Sequence, residues 1–367
     1  MLTNCLKNGN WTVKDGVFIH SKSKNSDLYD RIWSKKSKDC TFVEGENNNS
    51  YWSEKVNRRL KLIEIFSPSA IHRHNNKTDE NMIKIMNSMP LANLVVLDAC
   101  SGHGFYSVAA IELGAIGVVS CDCSFKVLNQ YSDKIANSIS LDKKICQGVK
   151  NNLRIQADVN HLSEVFDHGY FDLSFIRMAI MHMKNPFATM RDLAAVTKPG
   201  GYIAFDCFLE GCTPEITRKL RDYFCKRDLD HVTNFLFQFG KVKNNKAERN
   251  LNPLRLESVF NNTSLISDDY SEDIKFLKNM TSNYAIEEIE NKLHMEDFQS
   301  QYVHNLDPDQ IATFCVRDLG LISADFALFR AWPGDPPDRG CFAFKVPDNW
   351  KIPNIDFPKP ESGIEFK

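Results

Sequence analysis

The chain has 367 residues, of which 43% are hydrophobic and 25% charged, and its formal net charge at pH 7 is −2. This composition is typical of a globular protein large enough for one or two domains. The chain therefore lacks the overall positive charge that is typical of nucleic-acid-binding proteins. Its local basic clusters are interleaved with polar and apolar residues, as on a solvated surface.

Two further features concern location and metals. No apolar run is long enough to span a bilayer and the first ten residues are polar, so we expect a cytoplasmic protein without a signal peptide. The eleven cysteines lie mostly in strand-like apolar surroundings and never form a Cys-x-x-Cys pair. We therefore expect reduced thiols and predict no metal site.

The N-terminal region, up to about residue 80, is polar with isolated apolar anchors such as Trp11 and Trp33. Apolar spacing predicts helices over 53–66 and 79–89. The second predicted helix is closed by Pro90, immediately before a strongly apolar stretch.

The most informative stretch runs from Leu94 to Ser107. Apolar residues up to Leu97 lead into Asp98 and a Gly-x-Gly turn at 102–104, after which the apolar spacing is helical. This pattern predicts a buried parallel strand, a tight loop and a helix. Glycine lets the backbone approach a ligand closely, because it has no Cβ and tolerates positive φ.

A second predicted strand, over 117–121, ends at Asp122. This acid follows the glycine turn at about the spacing that places a carboxylate on ribose hydroxyls in βαβ nucleotide-binding units. The phosphate-binding motif has a third glycine where this chain has Ser107, and Asp98 would repel a pyrophosphate but suits a cation. The expected ligand carries a ribose and a positive charge but no phosphates, as S-adenosylmethionine does.

Strand and helix patterns alternate through the next hundred residues. Strands are predicted over 153–157, 171–176 and 202–205, and a helix over 125–139. Another helix begins with Asn185 as N-cap and ends at the Lys-Pro-Gly-Gly turn.

The end of the chain shows the same kind of pattern. Asp307 is predicted to cap a helix that stops at Gly320. A strand hairpin is then predicted, with its strands over 324–332 and 341–346.

The loop Asp98-Ala-Cys-Ser-Gly102-His-Gly104, together with Asp122 and the strand, helix and Lys-Pro-Gly-Gly series that follows, resembles class I S-adenosylmethionine-dependent methyltransferases. The resemblance covers roughly residues 80–206 and 307–347. It implies an α/β fold with a doubly wound, seven-stranded, mostly parallel sheet whose last strand is antiparallel, and S-adenosyl-L-methionine as the cofactor. It implies cofactor contacts from Asp98, Cys100, Gly102, Gly104, Asp122, Cys123, Asp158, Val159 and Arg177.

Asp158 has two interpretations. The resemblance implies that its carboxylate accepts from the adenine amino group, with the Val159 amide near the ring. Its position just before the helical pattern over 160–165 is equally typical of a helix cap.

The resemblance also implies a division of the chain. Residues 1–80 would form an N-terminal helical cap, 81–206 the first part of the core, 207–306 an insertion, 307–347 the rest of the core and 348–367 a tail. The insertion is too long for a structureless loop and contains helical apolar stripes. We expect it to form a helical lid over the acceptor site.

The acceptor side has weaker signals, because in-line methyl transfer mainly needs the reactants held about 3 Å apart in a dry site. His182 is a candidate general base, and Asp206 a candidate to bind an amine or take a proton. Arg177 would suit a carboxylate of cofactor or substrate. Candidate substrate-binding residues are Tyr302, His304, Arg330 and Trp332. The Arg330–Trp332 pair would suit a carboxylated or aromatic acceptor, but would equally pack the predicted hairpin.

Several functions remain open at this stage. The strand that ends at 176 lacks the motifs of adenine-amino and cytosine-C5 methyltransferases. The favoured function is methylation of a small-molecule amine, hydroxyl, thiol or carboxylate. The alternatives are a tRNA-modifying enzyme, a non-catalytic binding module, and an enzyme that uses another part of the cofactor.

Overall fold

The computed structural model describes residues 2–7, 9, 11–21, 30, 93–102, 104–112, 114–129, 152–209, 214–239, 254–293, 302–329, 339–360 and 362–365. They fall into two compact units. The larger holds the described residues within 1–34, 47–212 and 305–361, and the smaller those within 213–304 and 362–367. The helices predicted over 53–66 and 79–89 lie outside the described residues.

The larger unit is built on one mixed sheet. Its strands are β1 Trp11–Lys14, β2 Val17–His20, β3 Val95–Ala99, β4 Gly117–Asp122, β5 Leu153–Gln156, β6 Phe171–Ile176, β7 Thr197–Phe208, β9 Ile322–Phe329 and β10 Arg339–Lys345, with β8 in the smaller sheet described below. Their order is β1-β2-β5-β4-β3-β6-β7-β10-β9. The five strands from β5 to β7 are parallel, and β10 is antiparallel to both of its neighbours. The mostly parallel α/β sheet with an antiparallel last strand is thereby confirmed.

The strand β3 shows why the middle of the sheet is buried on both faces. Successive side chains point to opposite sides, so Val96 joins one apolar cluster while Leu97 and Ala99 join the other. A helix over Phe105–Glu112 supplies Tyr106 and Ala110 to the first cluster. The doubly wound arrangement follows from this alternation.

Nine strands are described in this sheet, two more than the seven expected. The additional pair is the hairpin β1–β2, which extends the sheet through the parallel pairing of β2 with β5. Asp15 and Gly16 connect the two strands with φ of +51° and +73°. An Asp-Gly pair between apolar runs is a strong hairpin signal, because a type I′ turn needs positive φ at both positions.

Helices in the larger unit begin where the capping residues predict. The helix Pro186–Val196 starts after Asn185, whose side chain accepts hydrogen bonds from two backbone amides. The helix Pro308–Ala312 starts after Asp307, which accepts from the Asp309 amide, and continues as a π-helical turn over Thr313–Asp318. No helix within the described residues is long and apolar enough to cross a membrane.

The smaller unit is mainly helical. Its helices are Glu215–Phe224, Leu229–Phe239, Leu256–Asn261, Ser271–Met280 and Ile286–Lys292. A separate two-stranded sheet pairs β8 Tyr302–Asn305 with β11 Ser362–Glu365. Inside the unit the buried Asp273 lies 2.8 Å from His231 and 3.3 Å from Arg227, so its charge is compensated.

Two glycines provide a test of the packing around β7. A Cβ on Gly201 would lie 2.7 Å from the backbone oxygen of Asp172, whereas a Cβ on Gly320 would meet nothing within 4 Å. Gly201→Ala should therefore lower the free energy of unfolding by more than about 2 kcal/mol, because backbone must shift. Gly320→Ala should cost only about 1 kcal/mol, the strain of its φ of +70°. Urea unfolding of both variants measures the difference, and equal losses would contradict it.

Candidate functional site

The loop between β3 and the helix Phe105–Glu112 has an unusual backbone. Cys100, Gly102 and Gly104 all have positive φ, at +58°, +52° and +73°. The loop is tied to β4 by the Ser101 amide, which donates to the Cys121 carbonyl at 3.0 Å. The two glycines were predicted for this reason, but Cys100 is the unexpected member, because a side chain in the left-handed region costs about 1 kcal/mol or more.

Asp122 joins the end of β4 to this loop. Its Oδ2 accepts from the Gly102 amide at 2.9 Å, and its Oδ1 accepts from the Ser124 amide at 2.9 Å. The Cys123 thiol lies 3.7 Å from Oδ1. Burial raises the pKa of the Asp122 carboxyl despite these bonds. Burial also holds the pKa of the Cys100 and Cys123 thiols well above the ordinary value, so both stay protonated.

Asp98 lies on the other side of the loop and is 1% exposed. Its Oδ2 accepts from the Ser107 hydroxyl at 2.6 Å, and that hydroxyl lies 2.6 Å from the hydroxyl of Ser120. The amide of Asn152 donates to Ser120 in turn. The residue that replaces the third glycine of a phosphate loop therefore starts a buried polar chain. Desolvation raises the pKa of Asp98 to about 7.

The raised pKa of Asp98 predicts how stability depends on pH. The unfolded chain loses this proton near pH 4 and the folded protein near pH 7, so the folded state binds more protons between these values. The free energy of unfolding should fall as pH rises through that window and then level off. Asp98→Asn should reduce the slope, as measured by urea unfolding from pH 5 to pH 8. An unchanged slope would contradict the assignment.

Asp158 follows β5 and is a cap in this structure. Its Oδ1 accepts from the backbone amide and the side-chain amide of Asn160, at 2.9 and 2.8 Å. It thus begins the short 3-10 turn Val159–His161, in which Val159 is buried. The helix-cap interpretation is confirmed, while the contact of Asp158 and Val159 with adenine stays a prediction.

Just past β6, a buried ion pair links the end of β6 to the end of β7. Asp206 of β7 is fully buried and accepts from Arg177 at 3.1 Å and from the Met178 amide at 2.5 Å. Arg177 also donates to the Tyr106 hydroxyl at 2.9 Å. Asp206 thereby holds Arg177 in place. A role of Asp206 in proton transfer stays a prediction. The half-buried His182 ends the turn Ile180–His182, and its role as a general base also stays a prediction.

Two of the four predicted substrate-binding residues lie within the described parts of the chain. Tyr302 and His304 lie on β8 in the smaller unit, with ring centroids 6.2 Å apart and nearly parallel. Arg330 and Trp332 lie outside the described residues. Among the described residues no group of three or more His, Cys, Asp and Glu side chains is arranged to hold a metal ion.

A comparison with protein families agrees with the expected methyltransferase fold. Residues 97–205 match a family model described as a methyltransferase domain. This segment contains the end of β3, all of β4, β5 and β6, and most of β7, together with the glycine loop, Asp122 and Asp158. No curated protein gives a significant sequence match.

Several solved structures with some similarity to this chain are methyltransferases. Magnesium protoporphyrin IX methyltransferase from Synechocystis PCC 6803 with bound S-adenosylhomocysteine has 10% identity and a TM-score of 0.44, covering 89% of this chain and 100% of its own. The 1,6-didemethyltoxoflavin-N1-methyltransferase of Burkholderia thailandensis has 12% identity and a TM-score of 0.39, covering 80% and 90%. An S-adenosylmethionine-dependent methyltransferase from Mesorhizobium loti has 12% identity and a TM-score of 0.38, covering 73% and 97%.

Identities of 10–12% with TM-scores below 0.5 carry no argument about an acceptor. The assignment depends instead on the family match over 97–205, the strand order, and the acid and glycine positions at the ends of β3 and β4. On these grounds the chain contains a methyltransferase domain over residues 97–205.

Proposed function

We propose that the protein binds S-adenosylmethionine across the carboxyl ends of β3, β4 and β5 and methylates a small-molecule acceptor. The observation that carries the proposal is the bond from the Gly102 amide to Asp122 Oδ2. It holds the acid at the end of β4 beside the glycine turn, as recognition of a ribose requires. A carboxylate has about four acceptor sites, and those engaged by Gly102, Ser124 and Cys123 leave one for a ribose hydroxyl.

The charges around the loop support a cationic ligand over a phosphate-bearing one. Asp98 and Asp122 are both buried carboxyls beside the turn, and the charged form of either would repel a pyrophosphate there. When bound, the cofactor supplies an electrophilic methyl group on a positively charged sulfur. The chain contributes a loop with positive φ angles, whose backbone can lie close to the cofactor. It also contributes acidic side chains, which favour the positive charge of the cofactor.

The acceptor side is the part of the edge beyond β3. Arg177, Asp206 and Tyr106 form a buried polar cluster there, and such clusters orient small polar ligands. Several parts of this proposal stay predictions. They are the role of His182 as general base, the contacts of Tyr302 and His304 with the acceptor, the helical unit as a lid, and cytoplasmic residence. Holding the acceptor atom in line with the bond between the methyl group and the sulfur would supply most of the rate acceleration.

Two measurements test the proposal. Calorimetric titration with S-adenosylmethionine should show binding, and no heat would contradict it. Release of S-adenosylhomocysteine should then be followed against a library of metabolites. Affinity for tRNA that falls steeply with salt would instead favour the tRNA-modifying alternative, because phosphate contacts release counterions.

A further inference from the structure

A second arginine lies at the same edge as Arg177. Arg339 is the first residue of β10, where it pairs with Phe208 at the carboxyl end of β7. Its Nη1 lies 3.3 Å from the sulfur of Met178, and its guanidinium carbon lies 5.1 Å from the Phe208 ring centroid. Arg339 and Arg177 are therefore brought together around Met178, although they are 162 residues apart in sequence.

The two arginines differ in how their charge is balanced. Arg177 is paired with the buried carboxylate of Asp206. For Arg339 the described residues supply no carboxylate within 4.0 Å, and its Nε is buried there without a hydrogen-bond partner. The thioether of Met178 is only a weak acceptor. A buried donor without an acceptor is costly, so among the described residues of this edge Arg339 is a guanidinium that an anionic ligand would satisfy.

We propose that Arg339 binds a carboxylate of the methyl acceptor, an inference that rests on the proposed function. A single unbalanced guanidinium matches a single negative charge, and its planar fork fits a carboxylate in two parallel hydrogen bonds. A phosphate monoester carries about −1.5 to −2 at neutral pH and would leave charge unbalanced. Stacking on Phe208 fixes the plane of the fork in advance.

The cofactor has a carboxylate of its own, so the position of Arg339 in the sheet matters. The cofactor is proposed to lie across β5, β4 and β3, whereas β10 is separated from β3 by both β6 and β7. At about 4.8 Å per strand, β10 lies about 14 Å from β3 along the sheet. That distance favours the acceptor as the source of the carboxylate.

The test uses carboxylic acids, each paired with its primary amide, in an assay that follows S-adenosylhomocysteine release. Accepted acids should lose kcat/KM by at least about 100-fold as amides. Arg339→Gln should lower kcat/KM for the acids to a similar extent and remove the preference, while Arg339→Lys should keep part of it. S-adenosylhomocysteine affinity should stay within about two-fold of wild type in both variants.

The outcomes that overturn the inference are distinct from failure of the proposed function. Retained acid preference in Arg339→Gln, or turnover of amides, amines or alcohols but of no acid, overturns it. Weaker S-adenosylhomocysteine binding in Arg339→Gln assigns the arginine to the cofactor and also overturns it. If the wild type does not bind S-adenosylmethionine at all, the proposed function fails as well.

A matched control separates recognition from folding. Arg191 on the helix Pro186–Val196 also lies over a phenylalanine, with its guanidinium carbon 4.8 Å from the Phe357 ring centroid, but it is paired with Asp192. Arg191→Gln removes the same kind of stacked arginine away from the edge. It should leave acid preference unchanged, and thermal unfolding of both glutamine variants shows whether either is merely unstable.

Discussion

Replacing Asp122 with alanine should weaken the binding of S-adenosylmethionine by about 100-fold. Hydrogen bonds to a charged group contribute about 1.5–3 kcal/mol each, and about 2.7 kcal/mol corresponds to that factor. The substitution also removes the acceptor of the Gly102 amide, so the glycine loop loses its link to β4. Calorimetric titration of the variant measures the change.

Two further variants make the Asp122 result specific. Asp122→Asn keeps the shape and one oxygen acceptor but loses the charge, so its affinity should lie between those of wild type and the alanine variant. Asp172→Ala removes an acid at the start of β6 that accepts from the Val95 amide and pairs with Lys198. It should leave affinity unchanged. Equal weakening in the Asp172 and Asp122 alanine variants would mean that loss of folding, not ribose recognition, explains both.

Replacing Asp206 with alanine should lower the free energy of unfolding by about 3–5 kcal/mol. Removal of one partner of a buried ion pair leaves the other charge uncompensated, and here the Met178 amide loses its acceptor too. Because a stability of about 5–15 kcal/mol is usual, this loss is a large part of the total. Urea unfolding at neutral pH measures it.

The contrast with an exposed pair strengthens the Asp206 test. Asp318 lies 2.7 Å from Arg317 on the surface, where screening by water leaves the pair little net stabilisation. Asp318→Ala should therefore be nearly neutral. A loss below about 1 kcal/mol in Asp206→Ala would show that Arg177 finds another partner and that Asp206 does not position it.

Local sequence signals predicted most of the sheet. The apolar run before Asp98, the alternation around β6 and the caps Asn185 and Asp307 each depend on neighbours in sequence, and the structure has the expected elements at these places. The pairing of Asp122 with Gly102 spans only 20 residues within one βαβ unit. Short-range patterns of this kind can be read without knowing the fold.

Long-range contacts were not predictable in the same way. The ion pair of Asp206 with Arg177 and the approach of Arg339 to Met178 exist only because β6, β7 and β10 end at one edge. The sequence marked Arg177 and Asp206 separately but contained no signal for Arg339. The left-handed conformation of Cys100 was also not predictable, because a cysteine, unlike a glycine, does not indicate a positive φ.

The central claim is that a sulfonium nucleoside binds with its sugar at Asp122. A crystal structure of the protein grown with S-adenosylhomocysteine tests it most directly. We predict the adenosyl group across the carboxyl ends of β3, β4 and β5, with a ribose hydroxyl about 2.7 Å from Asp122. Density elsewhere, or an empty cleft at a saturating concentration, would contradict the account.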